Sequence, residues 1–183
     1  LQTFLFSAEE AKRITGETVA VDASAGMPSS LGIVIREPLG VVVAIGPFNY
    51  PLNLLAHKVG PAIAANNAVV VKPASSTPLT ALKMAELFID AGIPPRMLQV
   101  LTGDAREISD ALVTDSRVRK ITFTGSIPVG KAICAKAGLQ SVCMELGGND
   151  PLIVLKDADL DKCIPVAVDG AFGNNGERCT SIK

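Results

Sequence analysis

Charge of one sign, aromatic rings and long hydrophobic runs are what this sequence has least of. Its 183 residues carry 17 Lys and Arg against 18 Asp and Glu, mixed along the chain with no basic run, so a nucleic-acid surface is not expected. One Tyr, no Trp and six Phe leave little with which to stack bases. No apolar stretch approaches the roughly 20 residues that cross a bilayer, so no membrane span is expected. Cys134, Cys143, Cys163 and Cys179 show no C-x-x-C spacing and share the chain with one histidine, His57, which argues against a metal site. Unpaired thiols suit a reducing compartment, and a cytoplasmic setting is the expectation. A chain that opens at Leu1 rather than Met says nothing about a leader.

What is present is apolar and rhythmic. A hydrophobic fraction of 48% is enough for one sizeable core, or one domain and the start of another. S-A-E-E-A-K-R-I-T (7–15) predicts a helix capped by Ser7 and stopped by Gly16, and L-G-I-V-I-R (31–36) a connecting strand, with a small-residue loop over 23–30 between them. From Val41 a rhythm sets in. Strands are predicted at 41–45, 68–72, 98–101, 120–124 and 141–145, with helices at 52–66, 78–91, 105–113 and 128–137 between them. Thr77, Pro78 and Gly92 mark the ends of the second helix. Short apolar strands alternating with amphipathic helices imply parallel pairing, since each helix must return the chain across a sheet face. The expected fold is an open, doubly wound α/β sheet that binds ligands beyond the carboxyl ends of its strands. After Glu145 the pattern changes: P-L-I-V-L (151–155) predicts a strand and 161–172 a helix, the opening of a second unit.

The residues able to carry chemistry sit in loops. F-G-N-N-G-E-R-C-T-S-I-K (172–183) presents Cys179 from a turn whose Asn174, Asn175 and Gly176 tolerate left-handed backbone. A thiol there is either a nucleophile, with Arg178 opposing the charge of a thiolate and Glu177 pulling the other way, or a small buried hydrophobe. Asn49, between Pro47 and Pro51, can aim its amide at a developing oxyanion or close an Asx turn. Lys72 can reach a ribose or phosphate or merely solvate a strand end. F-T-G-S-I-P-V-G (123–130) leads through Gly125 and Ser126 into a helix whose free amides can face a pyrophosphate, although it is not G-x-G-x-x-G. Glu145, before Leu146, Gly147 and Gly148, is a candidate general base at the border of two units.

P-F-N-Y-P, K-P-A, F-T-G-S, M-E-L-G-G-N-D-P and G-E-R-C-T-S occur in this order at intervals that resemble the NAD(P)-dependent aldehyde dehydrogenase superfamily, over nearly the whole chain. The resemblance implies Cys179 as nucleophile, Glu145 as the base that activates the hydrolytic water, and Asn49 as the side-chain donor of the oxyanion hole. It implies cofactor contacts at Ile45, Pro47, Phe48, Lys72, Ser75, Gly103, Phe123, Thr124, Gly125, Ser126, Val129, Leu146 and Gly147. A Rossmann-like NAD(P) domain over 1–146 would then be followed by the start of a catalytic domain over 147–183. Family members are far longer, so the expectation is a fragment inactive alone, from a parent enzyme that is a homodimer or homotetramer.

Two departures refine this. Ser75 stands where many relatives carry Glu, which removes repulsion against a 2′-phosphate, so NADP should be tolerated or preferred over NAD. Gly176-Glu177-Arg178 stands where Gly-Gln-Val is common, and Arg suits a phosphate or phosphonate. Tyr50 and Arg178 together resemble the branch that oxidises phosphonoacetaldehyde or glyceraldehyde 3-phosphate without phosphorylation, against which Arg178 is a structural ion pair. Other readings kept open are a neutral short-chain aldehyde such as lactaldehyde, an NAD(P)-binding piece without chemistry, and a scaffold that binds no nucleotide.

Overall fold

The computed structural model describes residues 2–21, 25–26 and 31–182. The rhythm beginning at Val41 builds a sheet of five parallel strands: β3 (Val41–Ile45), β4 (Ala68–Lys72), β5 (Leu98–Val100), β6 (Val118–Thr124) and β7 (Ser141–Glu145), preceded by β1 (Glu17–Ala20) and β2 (Leu31–Val34). The spatial order is β5-β4-β3-β6-β7, and every pairing in it is parallel. Between the strands run α2 (Asn53–Ala64), α3 (Pro78–Asp90), α4 (Ala105–Thr114) and α5 (Ile127–Lys136), after α1 (Gln2–Ala11) and before α6 (Leu160–Phe172). This is the doubly wound α/β fold expected from the sequence.

The period of two along each strand divides the core. Ala44, Val69, Val71 and Leu98 pack with Leu55 and Val59 of α2 and Ala81 and Met84 of α3. Val43, Ile121 and Phe123 face the other way, onto Val113 at the end of α4 and Ile133 of α5. With both faces covered, V-V-V-A-I and A-V-V-V-K need no polar alternation. Full burial of a side chain such as Leu55 or Ile121 stabilises the fold by about 1.5–3 kcal/mol. Strand order reverses between β3 and β6, so the loops that leave Ile45 and Thr124 diverge and open a crevice there.

Outside the sheet several expectations change. The first helix covers 2–11 rather than 7–15; Ser7 lies inside it and bonds back to the Thr3 carbonyl at 3.0 Å instead of capping. Phe4, edge-on to Phe88 with ring centroids 5.3 Å apart, fastens that earlier start to the domain. Gly16 does not stop the helix; a Cβ there would lie 2.1 Å from the Val34 carbonyl oxygen, so its role is close approach to β2. The strand expected over 31–36 is Leu31–Val34, paired antiparallel with β1, which sequence reading passed over. Part of the loop expected over 23–30, namely 23, 24 and 27–30, lies outside the described residues. Thr77 stands at the first cap of α3 without a side-chain cap bond. Residues 151–155 form no strand, because a ladder needs a partner and among the described residues the nearest pairing is the isolated bridge from Asp150, just before the segment, to Ile182.

Candidate active site

The crevice gathers chain segments that are far apart in sequence. The loop after β3 holds Pro47, Phe48, Asn49 and Tyr50, and the Asn49 side-chain amide donates to the Glu177 carbonyl at 2.6 Å across 128 residues. Asn49 Oδ1 accepts from the Tyr50 amide, which fixes the amide plane. At Gly148 a Cβ would fall 2.8 Å from the Cys179 carbonyl oxygen, so the chain leaving Glu145 runs directly against the turn of Cys179 and needs a glycine there. Asp150 bridges to Ile182 just beyond. Glu145 ends β7 opposite Thr124 of β6, and its carbonyl accepts from the Gly125 amide at 3.1 Å. Asn49 is thereby tied to the turn of Cys179, and the strand end of Glu145 to the turn of Gly125. The Cys179 and Glu145 side chains are both exposed.

Turn geometry explains how Cys179 is presented. After α6 a short helical turn, Gly173–Gly176, contains Asn174 and Asn175 at φ of 54° and 58°, left-handed values that asparagine tolerates better than most side chains. The Ser181 hydroxyl, buried, closes back on the Gly176 carbonyl at 2.9 Å. The Arg178 guanidinium lies on α6, its Nη2 donating to the carbonyls of Asp169 and Gly170 at 2.7 and 2.8 Å.

A second group of expected residues lines a cavity of about 620 Å³ between α4, α5 and the sheet, with Ile45, Lys72, Phe123 and Val129 in its wall. Lys72 is buried at the end of β4, where Nζ donates to the Pro73 carbonyl at 2.9 Å and reaches Ser75 Oγ at 3.4 Å. Ser75 Oγ in turn lies 3.4 Å from the Gly103 carbonyl, so Lys72, Ser75 and Gly103 share one rim. Burial holds the Lys72 pKa below the ordinary lysine value, and the charge of Asp104 pulls it back up. Ser126 precedes α5, whose first-turn amides form an anion-ready end. Gly125 has no room for a side chain, since a Cβ would sit 2.5 Å from the Phe123 ring. Leu146 packs against Gly130 under the same helix. Of the expected cofactor residues, Pro47, Phe48, Thr124, Gly125, Ser126, Leu146 and Gly147 do not line the cavity, and Ser75 and Gly103 line a neighbouring one that shares Pro73, Ala74 and Ala105 with it.

Sequence reading missed three cations. Arg106 and Lys136 line the same cavity, paired with Asp104 and Asp110. Lys58 of α2 is 5% exposed, its Nζ 3.3 Å from the Thr122 hydroxyl. Burial lowers its pKa, against the charges of Cys143 and Glu145, which act to raise it. The available signal was position: Lys58 interrupts the buried stripe of Leu55, Ala56, Val59 and Gly60.

A nucleotide cofactor fits these residues. The cavity has an apolar wall and the buried ammonium of Lys72, with the Ser75 hydroxyl 3.4 Å from that ammonium and a helix amino end beside it. Among the described residues no group of three or more His, Cys, Asp or Glu could hold a metal, and no helix is long and apolar enough to cross a membrane.

The family model described as "Aldehyde dehydrogenase family" matches residues 1–183. A 3-sulfolactaldehyde dehydrogenase of Priestia aryabhattai is 50% identical over 181 residues, 99% of this chain and 38% of that protein. Aspartate-semialdehyde dehydrogenase 1 of Pseudomonas canavaninivorans is 49% identical over 183 residues, 100% of this chain and 39% of that protein. Among solved structures, an NADP-dependent glyceraldehyde-3-phosphate dehydrogenase from Bacillus halodurans C-125, complexed with NADP, superposes with a TM-score of 0.95 at 47% identity, covering 100% of this chain and 38% of that one. This chain therefore spans less than two-fifths of the length of these relatives.

Proposed function

The chain belongs to the aldehyde dehydrogenase family, and from that we propose that the whole protein oxidises a small anionic aldehyde to its carboxylic acid with NAD or NADP. The observation that carries the reading is the Asn49 to Glu177 hydrogen bond, which holds an amide donor within two residues of an exposed cysteine. Residues 1–146 hold the cofactor, and 147–183 open the catalytic unit.

Lys72 and Ser75 would hold the adenosine ribose or its 2′-phosphate, the turn at Gly125 and Ser126 the pyrophosphate, and Ile45, Phe123 and Val129 the apolar parts. A bound nicotinamide supplies the acceptor for the hydride lost by the substrate carbon. The chain's own residues do the rest. Cys179, as thiolate, adds to the carbonyl carbon and moves its electron pair onto oxygen, where the Asn49 amide and the Cys179 main-chain amide hold it. The oxyanion collapses as the carbon is oxidised, leaving a thioester on Cys179. Glu145 takes a proton from water, the hydroxide attacks the thioester, and the sulfur leaves as the carboxylic acid is released.

The anionic class is supported by the names of the three relatives above, whose aldehydes carry a sulfonate, a carboxylate or a phosphate. Tyr50, exposed beside Asn49, is free to meet such a group. NADP use is supported by the hydroxyl, rather than a carboxylate, at Ser75 next to Lys72. The test is turnover by the whole protein of matched neutral and anionic aldehydes, lactaldehyde and succinate semialdehyde among them, with each cofactor. Reduction of cofactor with none of them sinks the reading; equal turnover of both classes sinks its anionic part.

A further inference from the structure

We propose that Arg178 is a positioning residue for the nucleophile: its guanidinium pins the turn that carries Cys179 to the last carbonyls of α6. The proposal rests on the reading of Cys179 above. The last carbonyls of a helix carry partial negative charge, so a guanidinium is a fitting cap even where, as at Asp169, the carbonyl also accepts from a main-chain amide, that of Gly173. Here Nη2 takes the carbonyls of both Asp169 and Gly170. Gly173 clears the way, because a Cβ at that position would sit 2.9 Å from Nη2 and 3.1 Å from the guanidinium carbon. Asn174 and Asn175, left-handed, turn the chain back so that a residue eight and nine positions downstream can lie over the helix end.

The remaining contacts show what the strut does. Glu177 is held from the sheet side by Asn49, Ser181 by the Gly176 carbonyl, and the Ile182 amide by the Gly170 carbonyl at 3.0 Å. Arg178 is the only residue of this set that joins the turn to α6 by a charged side chain, and it immediately precedes Cys179. Its Nε is enclosed without a partner among the described residues, so that nitrogen faces protein rather than an incoming ligand. The main-chain amide of Cys179, expected to hold the oxyanion, follows directly from the residue so fixed. An error of about 1 Å in such a donor costs about a hundredfold in rate.

The test compares wild type, Arg178→Met and Arg178→Lys in the whole protein. Two readouts are used: amide deuterium uptake, and kcat and KM for a neutral and an anionic aldehyde of equal chain length. A strut predicts faster uptake in 173–182 with the five-stranded sheet unchanged. It also predicts a common fall in kcat of about tenfold or more on both aldehydes, with partial rescue by Lys. A rise in KM confined to the anionic aldehyde, with uptake and the neutral aldehyde unaffected, overturns the proposal and makes Arg178 an anion receptor. No change in either readout overturns it too. Should Arg178→Met loosen the sheet itself, Arg178→Lys carries the same comparison, because it keeps the charge and loses the fork. If wild type oxidises neither aldehyde, the functional reading fails, while the uptake of 173–182 still decides the strut.

Discussion

Asn49 and Glu177 are joined by a 2.6 Å hydrogen bond from the Asn49 amide to the Glu177 main-chain carbonyl. The bond anchors the turn of Cys179 to the loop after β3, and on the proposed mechanism the same amide also holds the oxyanion. Asn49→Ala removes both, and kcat of the whole protein should fall about 10²- to 10³-fold with cofactor affinity unchanged. Steady-state kinetics beside a cofactor titration checks this; an unchanged kcat contradicts it.

Glu145 lies at the end of β7 and is exposed, so its carboxylate is open to water. Glu145→Gln should leave the first turnover intact and slow the second by roughly 10²- to 10⁴-fold. Stopped-flow measurement of reduced cofactor should then show a burst equal to the enzyme concentration. Loss of the burst together with the steady state would move Glu145 to the earlier step.

Ser75 Oγ is 3.4 Å from Lys72 Nζ, so a carboxylate in its place would meet the same ammonium and repel a phosphate arriving there. Ser75→Glu should weaken NADP by about ten- to a hundredfold and leave NAD within about twofold. Parallel titrations of the two cofactors decide it; equal losses would mean that the 2′-phosphate lies elsewhere.

Much of this was legible in sequence, and the rest was illegible for physical reasons. V-V-V-A-I and A-V-V-V-K declare buried strands because both faces are apolar, and the intervening helices follow from their stripes. Asn49 and Lys72 stood out because polar groups at strand ends are where such folds bind ligands, Cys179 as a thiol in a turn that tolerates left-handed backbone, and Ser75 only against the family pattern. The P-L-I-V-L segment read as a strand because composition reports apolarity, whereas a strand exists only with a partner. The start of α1 depends on Phe4 meeting Phe88, a contact between residues 84 positions apart that local capping rules do not see. Arg178 read either as a ligand for an anion or as a structural ion pair, because its acceptors in the fold, the Asp169 and Gly170 carbonyls, become visible only once the turn is formed.

Lys58 gives a pH dependence whose sign follows from its burial. The folded state disfavours the ammonium, so the folded protein binds that proton less tightly than the unfolded chain. Stability therefore carries a penalty while the lysine is charged in both states, and regains it as pH rises from the depressed folded value toward the ordinary 10.5. Lys58→Met removes the titration, so the variant's advantage in urea midpoint should shrink between neutral and alkaline pH. Parallel pH profiles for variant and wild type would show that Lys58 does not titrate differently on folding.

The central claim is that Cys179 forms the covalent bond to the substrate, and acid quenching of the whole Glu145→Gln protein after mixing with aldehyde and cofactor tests it most directly. Peptide mass spectrometry should find the acyl group on the peptide bearing Cys179, in a yield that depends on the cofactor. An acyl group on Cys134, Cys143 or Cys163 instead, or none at all while cofactor is reduced, would contradict the account.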